Sequence, residues 1–127
     1  MSAGTLLSFD IESGNKVIDA LDRDDKTPDV ALWAKIPDYE DWRLLLASEF
    51  LDQTSPLSGY EEINAAMKKA GISFRTRPSI LLRSMDNPMI LALQNLFATA
   101  KDSYRMRPGG RKFGDKCLED AFVYRIR

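Results

Sequence analysis

With 127 residues, 44% of them hydrophobic and 29% charged, the chain can bury a core as one domain, residues 1–127, without disulfides or metals. It has no histidine and one cysteine, Cys117, which excludes an intramolecular disulfide, a cysteine-built metal cage and the commonest general base. No cofactor or metal is expected, and any catalysis falls to carboxylates, Lys, Arg, Tyr, Ser or Cys117. No apolar run approaches the roughly 20 residues of a bilayer span, and Met1–Leu7 lacks the basic and apolar regions of a secretory signal. A soluble, bacterial-type cytoplasmic protein with no membrane partner is the expectation.

The net charge of −1 conceals an asymmetry. Residues 1–63 carry five basic and fourteen acidic groups, a net −9, and residues 64–127 carry thirteen basic and five acidic, a net +8. Such a division implies either an anionic partner for the basic half or two halves that neutralise each other on folding.

In chain order, Ser8–Asp25 reads as a helix, with Ile11, Ile18 and Leu21 at helical spacing and Gly14 on the same face. Ser8 or Asp10 can cap it, and Ser13 offers a later start. The run Asp22–Pro28 ends it. Val30–Ile36 and Trp42–Ser48 are apolar runs of strand length around the polar turn Pro37–Asp41, a β-hairpin signature. Their near-continuous apolar character calls for cover on both faces of at least one strand. A symmetric turn would set Ile36 opposite Trp42, Ala34 opposite Leu44 and Lys35 opposite Arg43, although a one-residue slip would reverse the faces. Glu49–Leu57 reads as a connector.

Ser55 and Pro56 open the best-specified helix as N-cap and first residue. Tyr60, Ile63, Met67 and Ala70 form its apolar stripe, Glu61 and Glu62 precede Lys68 and Lys69 as the helix dipole prefers, and Gly71 stops it. Ile72–Pro78 is a basic connector and Ile80–Leu82 a short buried strand. Asn87 and Pro88 start a further helix to about Lys101, its buried face Met89, Leu93, Leu96, Phe97 and Ala100. Pro108-Gly109-Gly110 is a turn signal whose flanks, Tyr104–Arg107 and Arg111–Phe113, suit a small basic hairpin. Ala121–Ile126 alternates as a strand, with Phe122, Tyr124 and Ile126 on one face. The order α-β-β-α-β-α-β predicts a single α+β domain. Its sheet is mostly antiparallel with four or five strands, and about three helices pack chiefly on one face.

The sharpest functional signal is the glycine loop. Arg105, Arg107, Arg111, Lys112 and Lys116 cluster around Pro108-Gly109-Gly110, beside Tyr104 and Phe113. Arginines engage phosphates bidentately and aromatics stack on bases. The expected binding residues are therefore Tyr104, Arg105, Arg107, Arg111, Lys112, Lys116 and, from the final strand, Arg125. Arg75, Arg77 and Arg83 are possible extensions. The expected partner is nucleic acid or an acidic protein, and the expected role is binding, not catalysis.

Other motifs fall short. Gly109-Gly110-Arg111-Lys112 is not a P-loop, and Gly71-Ile72-Ser73 is not a nucleophile elbow. Pro37-Asp38 after a strand resembles the start of a restriction-like nuclease site. The acidic-x-Lys triplet that such a site requires is absent from Trp42–Leu46. Asp22, Asp24 and Asp25 lack the calcium-loop pattern. Lys116 beside Cys117 lacks a base partner for thiolate chemistry.

Two alternatives remain. The Arg, Lys and Tyr residues, including Tyr124-Arg125, resemble in type those of small α+β ribonucleases such as messenger-RNA-cleaving toxins, which work with little or no histidine. The acidic first half argues against that reading. Self-association, the acidic surface of one copy against the basic loop of another, is the other alternative.

Overall fold

The sheet is built around β1 (Val30–Lys35), the strand in which all residues but the last are buried. The computed structural model describes residues 6, 8–53, 55–73, 75, 77–98 and 104–127. On one side β1 pairs antiparallel with β2 (Arg43–Ala47), and on the other, also antiparallel, with the C-terminal β6 (Asp120–Ile126). A third strand, β3 (Ile80–Leu82), pairs with β2 in parallel, giving the order β3-β2-β1-β6. The sheet, expected to be mostly antiparallel with four or five strands, is a four-stranded mixed one with two antiparallel pairings and one parallel. A separate two-stranded pair, β4 (Arg111–Phe113) with β5 (Lys116–Leu118), stands beside it. The parallel pairing has a physical cause: residues 48–79 form a crossover long enough to return the chain in the same direction.

That crossover carries two helices. The expected connector contains the short α2 (Glu49–Asp52), capped by the Ser48 hydroxyl on the Phe50 amide at 3.2 Å. Then α3 (Pro56–Lys69) begins as read, with Ser55 as N-cap and Pro56 in the first turn. Gly71, at φ +75°, provides the left-handed ending. The first helix, α1, spans Ser8–Arg23, and α4 spans Pro88–Leu96 behind the Asn87 cap. The expected continuation of α4 past Ala98 lies outside the described residues, and Leu96, expected inside, is 43% exposed.

The central strands are covered on both faces, as their apolar runs require. On one face Ala31, Trp33, Leu44, Leu46, Phe122 and Tyr124 meet α1, α3 and Leu51 of α2. On the other, Val30, Leu32, Ala34, Leu45, Leu81 and Val123 meet Met89, Ile90 and Leu93 of α4, together with Phe113 and Leu118 of the β4–β5 pair. The helices thus occupy both faces, three against one. Fully burying one such large apolar side chain contributes about 1.5–3 kcal/mol, so neither layer is dispensable.

The β1–β2 register is one residue away from the symmetric expectation. Trp33 pairs with Leu44, Leu32 with Leu45 and Ala34 with Arg43, so Lys35 does not face Arg43. This register puts Trp33, Leu44 and Leu46 together on the α1–α3 face. Final-strand alternation also breaks. A bulge between Ala31 and Leu32 leaves Tyr124 without a partner residue on β1, while Arg125 pairs with Ala31 and Ile126 with Val30. Phe122 and Tyr124 pack on the α1 side, but Ile126 packs on the α4 side. At the opposite edge, the outward Leu82 amide donates to the Tyr60 hydroxyl at 2.9 Å, and the Leu82 carbonyl accepts from Arg83 at 2.9 Å.

Gly14 explains how α1 is seated. The Trp33 indole N–H donates to both the Asp10 carbonyl, at 3.1 Å, and the Tyr124 hydroxyl, at 2.9 Å. Tyr124 in turn donates to the Ile11 carbonyl at 2.5 Å. A Cβ at position 14 would lie 2.3 Å from the Tyr124 hydroxyl and 2.8 Å from Cζ. The helix therefore accepts the usual glycine propensity cost, about 1 kcal/mol, to admit the phenol.

Gly14→Ala should destabilise the protein by about 1–3 kcal/mol through overpacking, despite alanine being the better helix former. Urea unfolding measures this, and a neutral or stabilising effect would refute the seating argument. Burial also raises the Tyr124 pKa well above its ordinary value of 10.0, against the lowering effect of the Trp33 hydrogen bond. The unfolded chain releases this proton first as pH rises. Stability present below pH 10 should therefore decline above it, at about 1.4 kcal/mol per pH unit for this group. Tyr124→Phe should flatten that part of the stability–pH curve.

Candidate anion-binding ribbon

The basic segment does not form the hairpin expected of its flanks. It is the outer strand of a longer ribbon. The Arg105 amide donates to the Val123 carbonyl at 2.7 Å, and the Val123 amide to the Met106 carbonyl at 3.0 Å. Further along, the Gly110 amide donates to the Leu118 carbonyl at 2.7 Å. Arg111 then pairs with Leu118, Lys112 with Cys117 and Phe113 with Lys116. Residues 105–113 therefore run antiparallel to residues 116–123, and the reversal falls at Gly114-Asp115. The Pro-Gly-Gly signal marks a crowded point within the ribbon. A Cβ on Gly109 would lie 2.4 Å from the Asp120 Cα, so only glycine permits this approach of two backbones. Phe113 and Leu118 anchor the ribbon in the α4-side core.

The seven expected site residues have different roles. Arg107 grips Asp120 with two bonds, Nε–Oδ1 at 3.2 Å and Nη2–Oδ2 at 2.7 Å. Lys116 donates to Asp38 at 2.7 Å, tying the ribbon to the β1–β2 turn. This contact lowers the Asp38 pKa and raises that of Lys116. Arg125 lies apart from the ribbon's outer strand. Its two terminal nitrogens each reach an Asp22 oxygen at 3.1 Å, and Nη1 also reaches the Pro28 carbonyl at 3.2 Å. It holds the last strand to the end of α1. Tyr104 packs edge-on against Phe122, with centroids 6.0 Å apart, and 6.3 Å from Tyr124, yet stays 43% exposed.

Arg105, Arg111 and Lys112 remain exposed, and among the described residues none forms an ion pair. The Arg111 guanidinium lies 5.0 Å from the Phe113 ring centroid, a contact that keeps its N–H groups available. Of the suggested extensions, Arg75 is exposed, Arg77 donates to the Ile72 carbonyl, and Arg83 donates to the Leu82 carbonyl and the Tyr39 hydroxyl, near enough to Asp38 to help lower its pKa.

Part of the charge asymmetry is settled within the chain. Lys69–Asp24, Lys116–Asp38 and Arg125–Asp22 each set a cation of the basic half on an acid of the acidic half, whereas Lys35–Glu119 joins the halves in the opposite sense. Asp24 also receives Lys26 and its pKa is lowered, chiefly by the Lys26 and then the Lys69 hydrogen bond. Asp22, Asp38 and Asp120 were missed as partners because pairing across the fold leaves no local spacing pattern.

Three concave features lie elsewhere. Two adjoining clefts, of about 210 and 420 Å³, separate α1 from the end of α3 around Ala20, Arg23 and Ala70. A third, of about 400 Å³, lies between α3 and the β3 edge around Met67, Arg77 and Ile80. None is lined by a ribbon cation, so the ribbon suits an extended ligand better than an enclosed small one. Among the described residues, no group of three or more His, Cys, Asp or Glu side chains is placed to hold a metal, and no helix is long and apolar enough to cross a membrane. Comparison of the chain with protein-family models, curated proteins and solved structures returns no match.

Burial opposes ionisation of Asp22, but the Arg125 hydrogen bonds and charge outweigh it and lower the pKa below 3.8. The stabilisation is present above about pH 4 and is lost as pH falls through the lowered folded-state value. Arg125→Gln should cost about 1–3 kcal/mol at pH 7, and the gap from wild type should narrow at pH 2.5. Urea titrations at the two pH values test this; an equal gap at both would show that the pair does not carry the effect.

Proposed function

We propose that the protein binds an anionic macromolecule along the outer strand of the ribbon, with Arg105, Arg111 and Lys112 as the contacts. The observation that carries this reading is the division of the basic cluster. Arg107 and Lys116 are committed to Asp120 and Asp38, whereas these three cations face solvent along one side of the ribbon's chain, residues 105–113. Nucleic acid is the favoured ligand over an acidic protein, since a flexible polyphosphate can follow cations dispersed along an exposed chain segment. The half-exposed Tyr104 ring at its start adds a surface on which a base can rest.

The ribonuclease alternative has less support. Arg107 and Arg125 are held in bidentate ion pairs, and the Tyr124 hydroxyl is spent between Trp33 and Ile11. Charge-driven self-association also loses ground, because three pairs joining basic-half cations to acidic-half acids reduce the imbalance within one chain.

Single-stranded RNA and DNA binding, titrated against salt, tests the proposal. Each phosphate contact contributes a slope of about 0.7 in log K against log salt for single strands. Replacing Arg105, Arg111 and Lys112 together by Gln should reduce the slope by about two, and Lys68→Gln on α3 should leave it unchanged. Salt-independent binding, or an unaltered slope in the triple variant, would overturn the assignment. Failure to bind either nucleic acid would remove it as the partner.

A further inference from the structure

A second cationic group lies at the β1–β2 turn and shares no side chain with the proposed contacts. Arg43 pairs with Ala34, whose side chain belongs to the α4-side core, and so points to that face of the sheet. Tyr39 packs against the same core. The Arg43 Cζ sits 4.7 Å from the Tyr39 ring centroid. Arg83, two residues beyond the core residue Leu81, donates from Nη2 to the Tyr39 hydroxyl at 3.1 Å and from Nη1 to the Leu82 carbonyl at 2.9 Å. One ring therefore holds two guanidinium groups, one over its face and the other at its hydroxyl.

Among the described residues this arrangement has no acid to itself: Asp38, near enough to feel the charge of Arg83, is already bonded to Lys116. Glu40 and Asp41 are exposed in the same turn, and neither forms an ion pair with Arg43 or Arg83 among the described residues. Asp38 is occupied by Lys116, and Asp52 receives the Met85 amide at 2.8 Å. Most telling is the Arg43 Nε, a buried donor with no hydrogen-bond partner. A buried unpaired polar group costs about 1–3 kcal/mol, more when charged. Holding two like charges on one ring adds to that cost.

We infer that Arg43 and Arg83, positioned by Tyr39, form a subsite for a phosphate monoester group. Guanidinium forks match phosphate oxygens bidentately. A monoester carries close to two negative charges at neutral pH, which balances two arginines where a single carboxylate would not. Because the Asp38–Lys116 pair links this turn to the ribbon, the phosphate can be free in solution or the end group of a strand lying along the ribbon.

Inorganic phosphate, titrated by calorimetry against the full-length protein at ionic strength held constant with chloride, is the direct probe. Wild type should bind saturably with one site. Arg43→Gln and Arg83→Gln should each weaken binding at least tenfold, and Arg111→Gln should leave it unchanged. Should Arg43→Gln fail to fold by circular dichroism, Arg83→Gln decides alone. Absence of saturable binding by wild type, or full binding by the Arg83 variant, would overturn the subsite. Displacement of phosphate by a 5′-phosphorylated oligonucleotide, but not by its 5′-hydroxyl counterpart, would assign the strand end as the source. Displacement by neither would assign a free ester.

Discussion

The fold depends on one buried meeting point, where Trp33 of the central strand and Tyr124 of the last strand reach two carbonyls near the start of α1. The bonds join residues up to 113 positions apart in sequence, so they form only when both chain ends are in place. Each is worth about 1 kcal/mol net, and each would cost more if its partner were removed and left dry. The bulge in β6 follows from the same constraint. It lets Tyr124 enter the helix layer while Arg125, the next residue, still reaches Asp22 at the helix end. One residue of extra strand thus serves both ends of α1.

The opposite charges of the two halves serve the fold first. Asp22, Asp24 and Asp38 each receive a cation from the C-terminal half, and those contacts fix the strand, helix and ribbon that the acids touch. Among the cations that no acid of the chain takes up are three exposed on the ribbon and two arginines on Tyr39. Their geometry differs. The ribbon group is exposed and dispersed, while the Tyr39 group is half-buried and fixed by ring contacts.

Local chemistry was legible. Ser55-Pro56, Asn87-Pro88 and Gly71 each mark a helix end by its own backbone requirement, and all three stand where they were read. Apolar continuity correctly called for cover on both faces of the central strands. Pairing was less legible. A hairpin register depends on how the turn closes, and Pro37–Asp41 closes it one residue away from symmetry. Pro108-Gly109-Gly110 looks like a reversal because its composition is the same whether a chain turns or two backbones cross closely. The pull of Ser48 on the Phe50 amide gave α2 too short a sequence signature to separate from a loop. In the site, residue type identified the cations, but only the fold could separate those already neutralised from those still available.

Both sheet edges are closed by the protein's own groups. At β3, three residues long, the Tyr60 hydroxyl and the Arg83 guanidinium occupy the amide and carbonyl of Leu82. At β6, the ribbon takes both backbone groups of Val123 and presents Arg105 and Arg107 outward in their place. A neighbouring molecule approaching in extended form finds no unbroken row of free amides at either margin, and at one margin it meets like charge. Such margins are what keep an apolar sheet from templating its own copies. The ribbon's cations therefore count against fibre growth in their own right, and a variant stripped of them would lose part of that protection.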